Sequence, residues 1–268
     1  MARVAERAEA NRAGSPGVHA ALSVLEVLSA RAPLALSDLA VELGVAKSTL
    51  HRVCSVLVER GWAVRDGDGR FDVGIRAIGL GARSAELPIV TAFRGIAAKL
   101  LTHYDETVCL AIVDRGESVY IALEESSQPV RLVTSLGSRT PAFASASGRA
   151  MIAGWNAAVV ASEFGGRPLV TPTGRRLHSI AELNEILAEV REHGYAENVE
   201  ETAVGLHAIS VPVQNAAGAV LAALTVCVPT SRMSPKRRET LIEGLVAAGE
   251  RFSAEVGWLP AWNATRGE

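Results

Sequence analysis

Cysteine is scarce in this chain and poorly placed to work in groups: Cys54, Cys109 and Cys227 are odd in number, far apart and form no CxxC pair. That excludes a disulfide framework and a cysteine-built zinc site, and it suits reduced thiols in a cytoplasmic protein. A secretory leader is also missing, because Met1 to Ala13 is studded with Arg and Glu and holds no apolar stretch. Long apolar runs are absent as well. The longest, Ala219 to Val228, covers about half of a membrane span and fits a buried strand, so no membrane association is expected. Lysine occurs only at 47, 99 and 236, and the formal net charge is only −2, so any nucleic-acid reading must rest on local charge.

What is present is a chain of 268 residues, 49% hydrophobic and 21% charged, able to bury a sizeable core and long enough for two domains. Residues 1–17, ending in Ser15-Pro16-Gly17, read as a mobile arm. From Val18 an apolar helical stripe runs through Ala21, Leu22, Val24, Leu25 and Leu28 and closes near Pro33. Leu36, Leu39, Ala40 and Leu43 repeat at helical spacing, with Ser37 as the expected N-cap and Gly44 as the stop. Three residues later Leu50, Val53, Cys54 and Leu57 repeat the pattern, and Gly61 ends it. Two short amphipathic helices joined through Gly44-Val45-Ala46 are the mark of a helix-turn-helix. Trp62–Arg65 and Arg70–Val73 around Asp66-Gly67-Asp68-Gly69 add a hairpin, the wing.

Residues 74–88 read as a short helical linker, and the remainder mixes both periods. Thr107–Val113 and Ser118–Leu123 form one expected hairpin, and Ile209–Val213 with Ala219–Val228 form a second around Asn215–Gly218. Ser179-Ile180-Ala181-Glu182 is a capping box that opens a helix ended by Gly194. Hairpins interleaved with helices imply an α+β domain with an antiparallel sheet over 89–258, followed by a tail at 259–268.

The third helix carries the chemistry of the first domain. Its apolar stripe leaves Ser48, His51, Arg52 and Ser55 on the opposite side, Lys47 and Thr49 in the first turn, and no acid from Ala46 to Val58. Such a face can enter a major groove, where Arg bonds guanine edges in pairs and Ser, Thr or His reach bases and phosphates. Ser37 on the preceding helix and Arg65 and Arg70 on the wing join it as expected DNA contacts. A plain solvated face, or a winged helix that touches only proteins, would use the same residues. The order of three helices and a wing within about 60 residues favours duplex DNA.

Leu43-Gly44-Val45-Ala46-Lys47-Ser48-Thr49-Leu50-His51-Arg52, Leu57–Gly61 and Asp68-Gly69-Arg70-Phe71 resemble the IclR family of bacterial regulators. Pro141 to Ala150 is similar to that family's effector-domain motif, and Gly194-Tyr195-Ala196, Glu200-Glu201, Gly205 and Pro212-Val213 follow its C-terminal signature. The resemblance implies a GAF-like, profilin-like effector domain, a small organic effector, and dimers that pair into tetramers on palindromic or nearly palindromic operators. Repression is its expected sense, with ligand-driven release or recruitment left open.

Thr225 and Cys227, two apart on an apolar strand, share one sheet face and suit either a cavity lining or a satisfied core. The Ala-Ser-Ala-Ser-Gly run at 144–148 can open a helix whose N–H groups would meet an anion. The resemblance carries effector contacts onto Ala146, Ser147, Asn198, Ala208, Thr225 and Cys227. Several depart from the family: Asn198 replaces an acid, Ala208 a Cys, Thr225 and Cys227 two serines, and Phe143 the motif His. The set is less polar than one for very small acids, which points to a larger or more aromatic ligand. No GxSxG, Walker loop, GxGxxG or HExxH is present, and neither a metal, a cofactor nor an enzyme activity is expected.

Overall fold

The computed structural model describes residues 15–261, which separate into two compact units meeting in sequence at Ser84 and Ala85. Residues 1–14 of the expected arm lie outside the described residues. The first unit holds helices α1 (Pro16–Arg31), α2 (Leu36–Leu43) and α3 (Lys47–Glu59), strands β1 (Ala63–Arg65) and β2 (Phe71–Val73), and helix α4 (Ile75–Ser84). Pro16 and Gly17 are helical, because Pro16 sits at N1, where its missing N–H costs nothing. The buried side of α1 is Ala20, Val24, Val27 and Leu28, and Leu22, expected inside, is exposed. These residues close on Leu39, Leu50, Cys54, Leu57, Ala63 and Phe71. Leu28, Leu39 and Leu50 are fully buried, each stabilising the unit by about 1.5–3 kcal/mol.

Gly44 takes the left-handed conformation (φ 62°) that ends α2 and sets the turn into α3. Ser37 is not the cap of α2. Ala35 holds that position, the helix starts at Leu36, and the Ser37 hydroxyl reaches only its neighbour Asp38 at 3.4 Å. The wing pairs Ala63 with Val73 and Arg65 with Phe71. Its turn is tied by Asp66 Oδ1, which accepts the N–H groups of Asp68 (3.0 Å) and Arg70 (2.8 Å).

The second unit is a six-stranded antiparallel sheet in the order β5-β4-β3-β10-β9-β8. The strands are β3 (Thr107–Asp114), β4 (Glu117–Glu124), β5 (Arg139–Pro141), β8 (Ala196–Val199), β9 (Leu206–Gln214) and β10 (Val220–Pro229). Helices α5 (Pro88–Tyr104) and α9 (Pro235–Val256) cover one face around Phe93, Leu110, Ile209, Leu224 and Phe252. Pro88, expected to end the linker, is the first residue of α5. The other face carries α6 (Ala146–Ile152), α7 (Ala157–Phe164) and α8 (Ile180–His193), with the small hairpin β6 (Leu169–Val170) and β7 (Arg176–Leu177). Ser179 caps α8 by accepting the Glu182 N–H, and Glu182 answers one residue further back than in a standard capping box, at the His178 N–H. Leu259 and Ala261 still pack on the α5–α9 core, and residues 262–268 of the expected tail lie outside the described residues.

Candidate functional site

Helix α3 presents Lys47, Ser48, Thr49, His51, Arg52 and Ser55 to solvent, while Leu50, Cys54 and Leu57 anchor the opposite side. Burial pushes the Cys54 thiol up to about 11, which marks it as core rather than a reactive group. No side chain caps the α3 N-terminus, so its first N–H groups and positive dipole end face outward with Lys47. Ser55 returns its hydroxyl to the His51 carbonyl (2.8 Å), a local bond that draws it back toward its own helix. Among the described residues, none pairs with the side chains of Lys47, His51 or Arg52. The wing arginines differ. Arg65 donates to the Gly69 carbonyl (3.3 Å) and lies over the Phe71 ring at 5.5 Å, which stiffens the hairpin, whereas Arg70 extends into solvent. Between residues 15 and 84 there are eight basic and seven acidic residues, so the positive character of α3 is local rather than general.

The six residues expected around an effector meet on the α6 side of the sheet. Strand register puts Asn198, Ala208 and Cys227 in one cross-strand row and Ser210, Thr225 and Cys109 in the next. Ala146, from the first turn of α6, packs with Cys109, Ala208 and Cys227. Ser147 exchanges a 2.7 Å hydrogen bond with Ser118 on β4. Thr225 does the same with Ser210 at 2.8 Å. The polar groups are buried, and they satisfy one another in the structure as it stands.

Two expectations need adjusting. The Ala-Ser-Ala-Ser-Gly run does open a helix, but Ser145 caps it by accepting the Gly148 N–H at 3.0 Å, so that donor is already committed. Asn198 uses both ends of its amide on backbone: Nδ2 donates to the Ala144 carbonyl and Oδ1 accepts the Glu201 N–H at 3.2 Å. It therefore braces the loop before α6 against the turn after β8. Arg149, next to this brace, is buried. It donates to the Phe143 carbonyl (2.8 Å) and grips Glu201 through both terminal nitrogens (3.2 and 2.5 Å).

Sequence reasoning missed Cys109, Ser118, Tyr120 and Ser210, which join the same cluster. Alternation along Thr107, Cys109 and Ala111 could have found Cys109, and the β9 partner of Thr225 could have found Ser210. The Cys109 thiol is pushed well above its ordinary range, first by its hydrogen bond with Cys227 and then by burial. The Tyr120 phenol is raised likewise, mainly by burial and then by the thiols of Cys227 and Cys109.

The segment 125–138 passes over this face, dropping Leu132 onto it. Asp105 holds its start by accepting the Ser127 N–H (2.8 Å), the Ser127 hydroxyl (2.8 Å) and the Gln128 amide (2.7 Å). Those bonds, the Ser127 N–H first, hold the Asp105 carboxyl down at about 2. Arg232 clamps the Val130 carbonyl (2.7 Å) while paired with buried Glu106 at 2.5 Å. Among the described residues no group of three His, Cys, Asp or Glu side chains could hold a metal ion, and no helix is long and apolar enough to cross a membrane.

Comparison with known proteins bears on both surfaces. The sequence profile of the IclR helix-turn-helix domain matches residues 18–67, and that of the bacterial transcriptional regulator IclR C-terminal domain matches 82–254. The chain is 30% identical to the regulator XynR of Escherichia coli over 244 residues, covering 90% of this chain and 97% of XynR. The crystal structure of a regulator from Alicyclobacillus acidocaldarius superposes with a TM-score of 0.80 at 27% identity, covering 91% of this chain and all of that one. An IclR homologue of Microbacterium hydrocarbonoxydans, solved in complex with 4-hydroxybenzoate, has a TM-score of 0.75 at 22% identity, covering 90% and 98% of the two chains.

Proposed function

The chain belongs to the IclR family of bacterial transcriptional regulators, and from that premise we propose how this ligand-controlled DNA-binding regulator reads its operator and senses its effector. Helix α3 enters the major groove. His51 and Arg52 touch base edges, Lys47, Ser48 and Thr49 hold phosphate, and Arg70, with Arg65 beside it, follows the adjacent backbone. Ser37 is the weakest member of this set, since its hydroxyl faces the acid Asp38, 3.4 Å away, which would repel a phosphate. The observation that carries the reading is the solvent-facing row on α3, with no acid from Ala46 to Val58 and with the side chains of Lys47, His51 and Arg52 unpaired among the described residues.

The effector site is the buried cluster of Ala146, Ser147, Ala208, Thr225 and Cys227, with Asn198 shaping it through the backbone of 144 and 201. Its ligand is an organic acid larger or more aromatic than a two- or three-carbon one. The thiols and leucines around the hydroxyls favour this, and a fold relative was solved with 4-hydroxybenzoate. Effector and operator are linked, so each changes affinity for the other by one common factor. The protein acts as a homodimer or a pair of dimers on a palindromic site in the cytoplasm, without enzymatic activity. Helix α4 supports the oligomer: Ile75 and Ile78, three residues apart on one side of the helix, are 72 and 64% exposed, and a second copy would cover such a face.

The test is fluorescence anisotropy of the purified protein on the duplex upstream of its own gene and neighbouring operon, titrated with salt. Sequence-preferring binding that weakens linearly in log–log salt supports the reading, because neutralised phosphates release counterions. Equal affinity for unrelated duplexes counts against it.

A further inference from the structure

Strand β4 does not keep a regular alternation. Register runs Cys109 to Leu123 and Leu110 to Ala122, then jumps to Ala111 opposite Tyr120, so Ile121 is an extra residue at a β-bulge. Ile121 and Ala122 consequently both turn to the α5–α9 core. Tyr120 turns to the opposite face, the effector face, where strict alternation from Leu123 would have kept it out. A bulge re-aims a side chain at a local cost in pairing, and here the residue re-aimed is a tyrosine.

Its surroundings fit a ligand contact. The ring packs against the Ala146–Ala208–Cys227 cluster and also against the α6–α8 core, forming the wall between them. The phenol lies in reach of Ser147 and Cys227. The backbone is fixed on both sides by the returning end of the 125–138 segment, with the Tyr120 N–H donating to Ser138 (3.2 Å) and its carbonyl accepting from Gly137 (2.7 Å). Among the described residues the one buried arginine, Arg149, is committed to Glu201. Selection of a ligand oxygen therefore falls to neutral donors.

Resting on the effector-site reading above, we propose that Tyr120 is a specificity-determining residue, its hydroxyl donating to an oxygen of a ring-bearing acid whose ring lies among the Cys109 and Cys227 thiols and Leu123. Thiol sulfur at a ring edge is favourable, which a short aliphatic acid cannot exploit. The phenol stays protonated at neutral pH, as a donor must.

Calorimetry of the full chain with 4-hydroxybenzoate, benzoate and pyruvate tests this. The wild type should bind 4-hydroxybenzoate at least tenfold more tightly than pyruvate. Tyr120→Phe, which keeps the ring, should weaken the ring acids about tenfold, the loss of one buried hydrogen bond, and leave pyruvate little changed. The selectivity ratio would then collapse, a result that general loosening of the fold would not give. Failure of both ring acids to bind at millimolar concentration, or a ratio unchanged in Tyr120→Phe, overturns the proposal. If ring-acid binding survives Tyr120→Phe but is lost in Ser147→Ala or Thr225→Val, Tyr120 is excluded and the site stands. Binding indifferent to all three substitutions refutes the site itself.

Discussion

The helix proposed to read DNA and the sheet face proposed to take the effector arrange similar side chains in opposite ways. On α3 the serines, histidine and arginine stand in solvent on a scaffold fixed from behind by Leu50, Cys54 and Leu57. On the sheet face, serines, a threonine and thiols are buried beside a half-buried tyrosine, and the serine and threonine hydroxyls bond to each other in pairs. An exposed polar side chain is cheap to keep and free to meet a partner. A buried one must find a replacement bond whenever a ligand arrives or leaves, which ties ligand binding to the packing around it. Substitutions on α3 should therefore change binding and leave stability alone, while substitutions on the sheet face should change both.

The largest effect that would sharpen this contrast is expected at Arg149→Met. It strands the buried Glu201 carboxylate with only the more exposed Arg175, 2.7 Å away, and should cost about 3–5 kcal/mol in urea unfolding. A loss below about 1 kcal/mol would mean that Arg175 and water suffice, and the buried face would be less demanding than argued. Next comes Ser145→Ala, which removes the α6 cap and should cost about 1 kcal/mol while also weakening effector response, since Ala146 and Ser147 follow directly. Unchanged stability there would break the link between packing and binding.

The winged helix was largely legible in the sequence and the effector face only in part. Local spacing decides where Leu50, Cys54 and Leu57 point, so the exposed row on α3 follows from period alone. Ser37 misled because two candidate starts, Leu36 and the residue after Ser37, differ by less than a turn, and the extended conformation of Ala35 settles the boundary. The effector face depends on which strands become neighbours. Cys109, Ser210 and Thr225 lie at distant points in the chain and meet only through the β3-β10-β9 order. Tyr120 was illegible for a sharper reason, because the bulge at Ile121 reverses the alternation that sequence reading relies on. Asn198 appeared as a ligand group by position, yet its amide is engaged by backbone that no local pattern reveals.

A smaller effect is expected from acid. Burial alone would raise the Glu197 carboxyl, but the bonds from His207 (2.5 Å) and Arg238 (2.6 and 2.5 Å) outweigh it and hold the group at about 2. A carboxyl depressed in the folded state contributes stability above its unfolded value, near 4.5, and that contribution drains away as pH falls toward 2. Unfolding midpoints measured between pH 6 and pH 3 should decline, and Glu197→Gln should flatten the decline. An equal slope in the variant would assign acid sensitivity elsewhere, with Asp105 the next group to replace.

The claim on which the rest depends is that α3 reads sequence through one face, and two substitutions of equal charge test it directly. Arg52 lies on the exposed row, and Arg60 is exposed at the far end of the same helix. Anisotropy with the upstream duplex and a scrambled one should show Arg52→Ala losing about fivefold or more in preference, about 1–3 kcal/mol, with Arg60→Ala leaving the preference at about the wild-type value. Equal losses at both positions, or no preference for the upstream duplex in the wild type, would contradict the account.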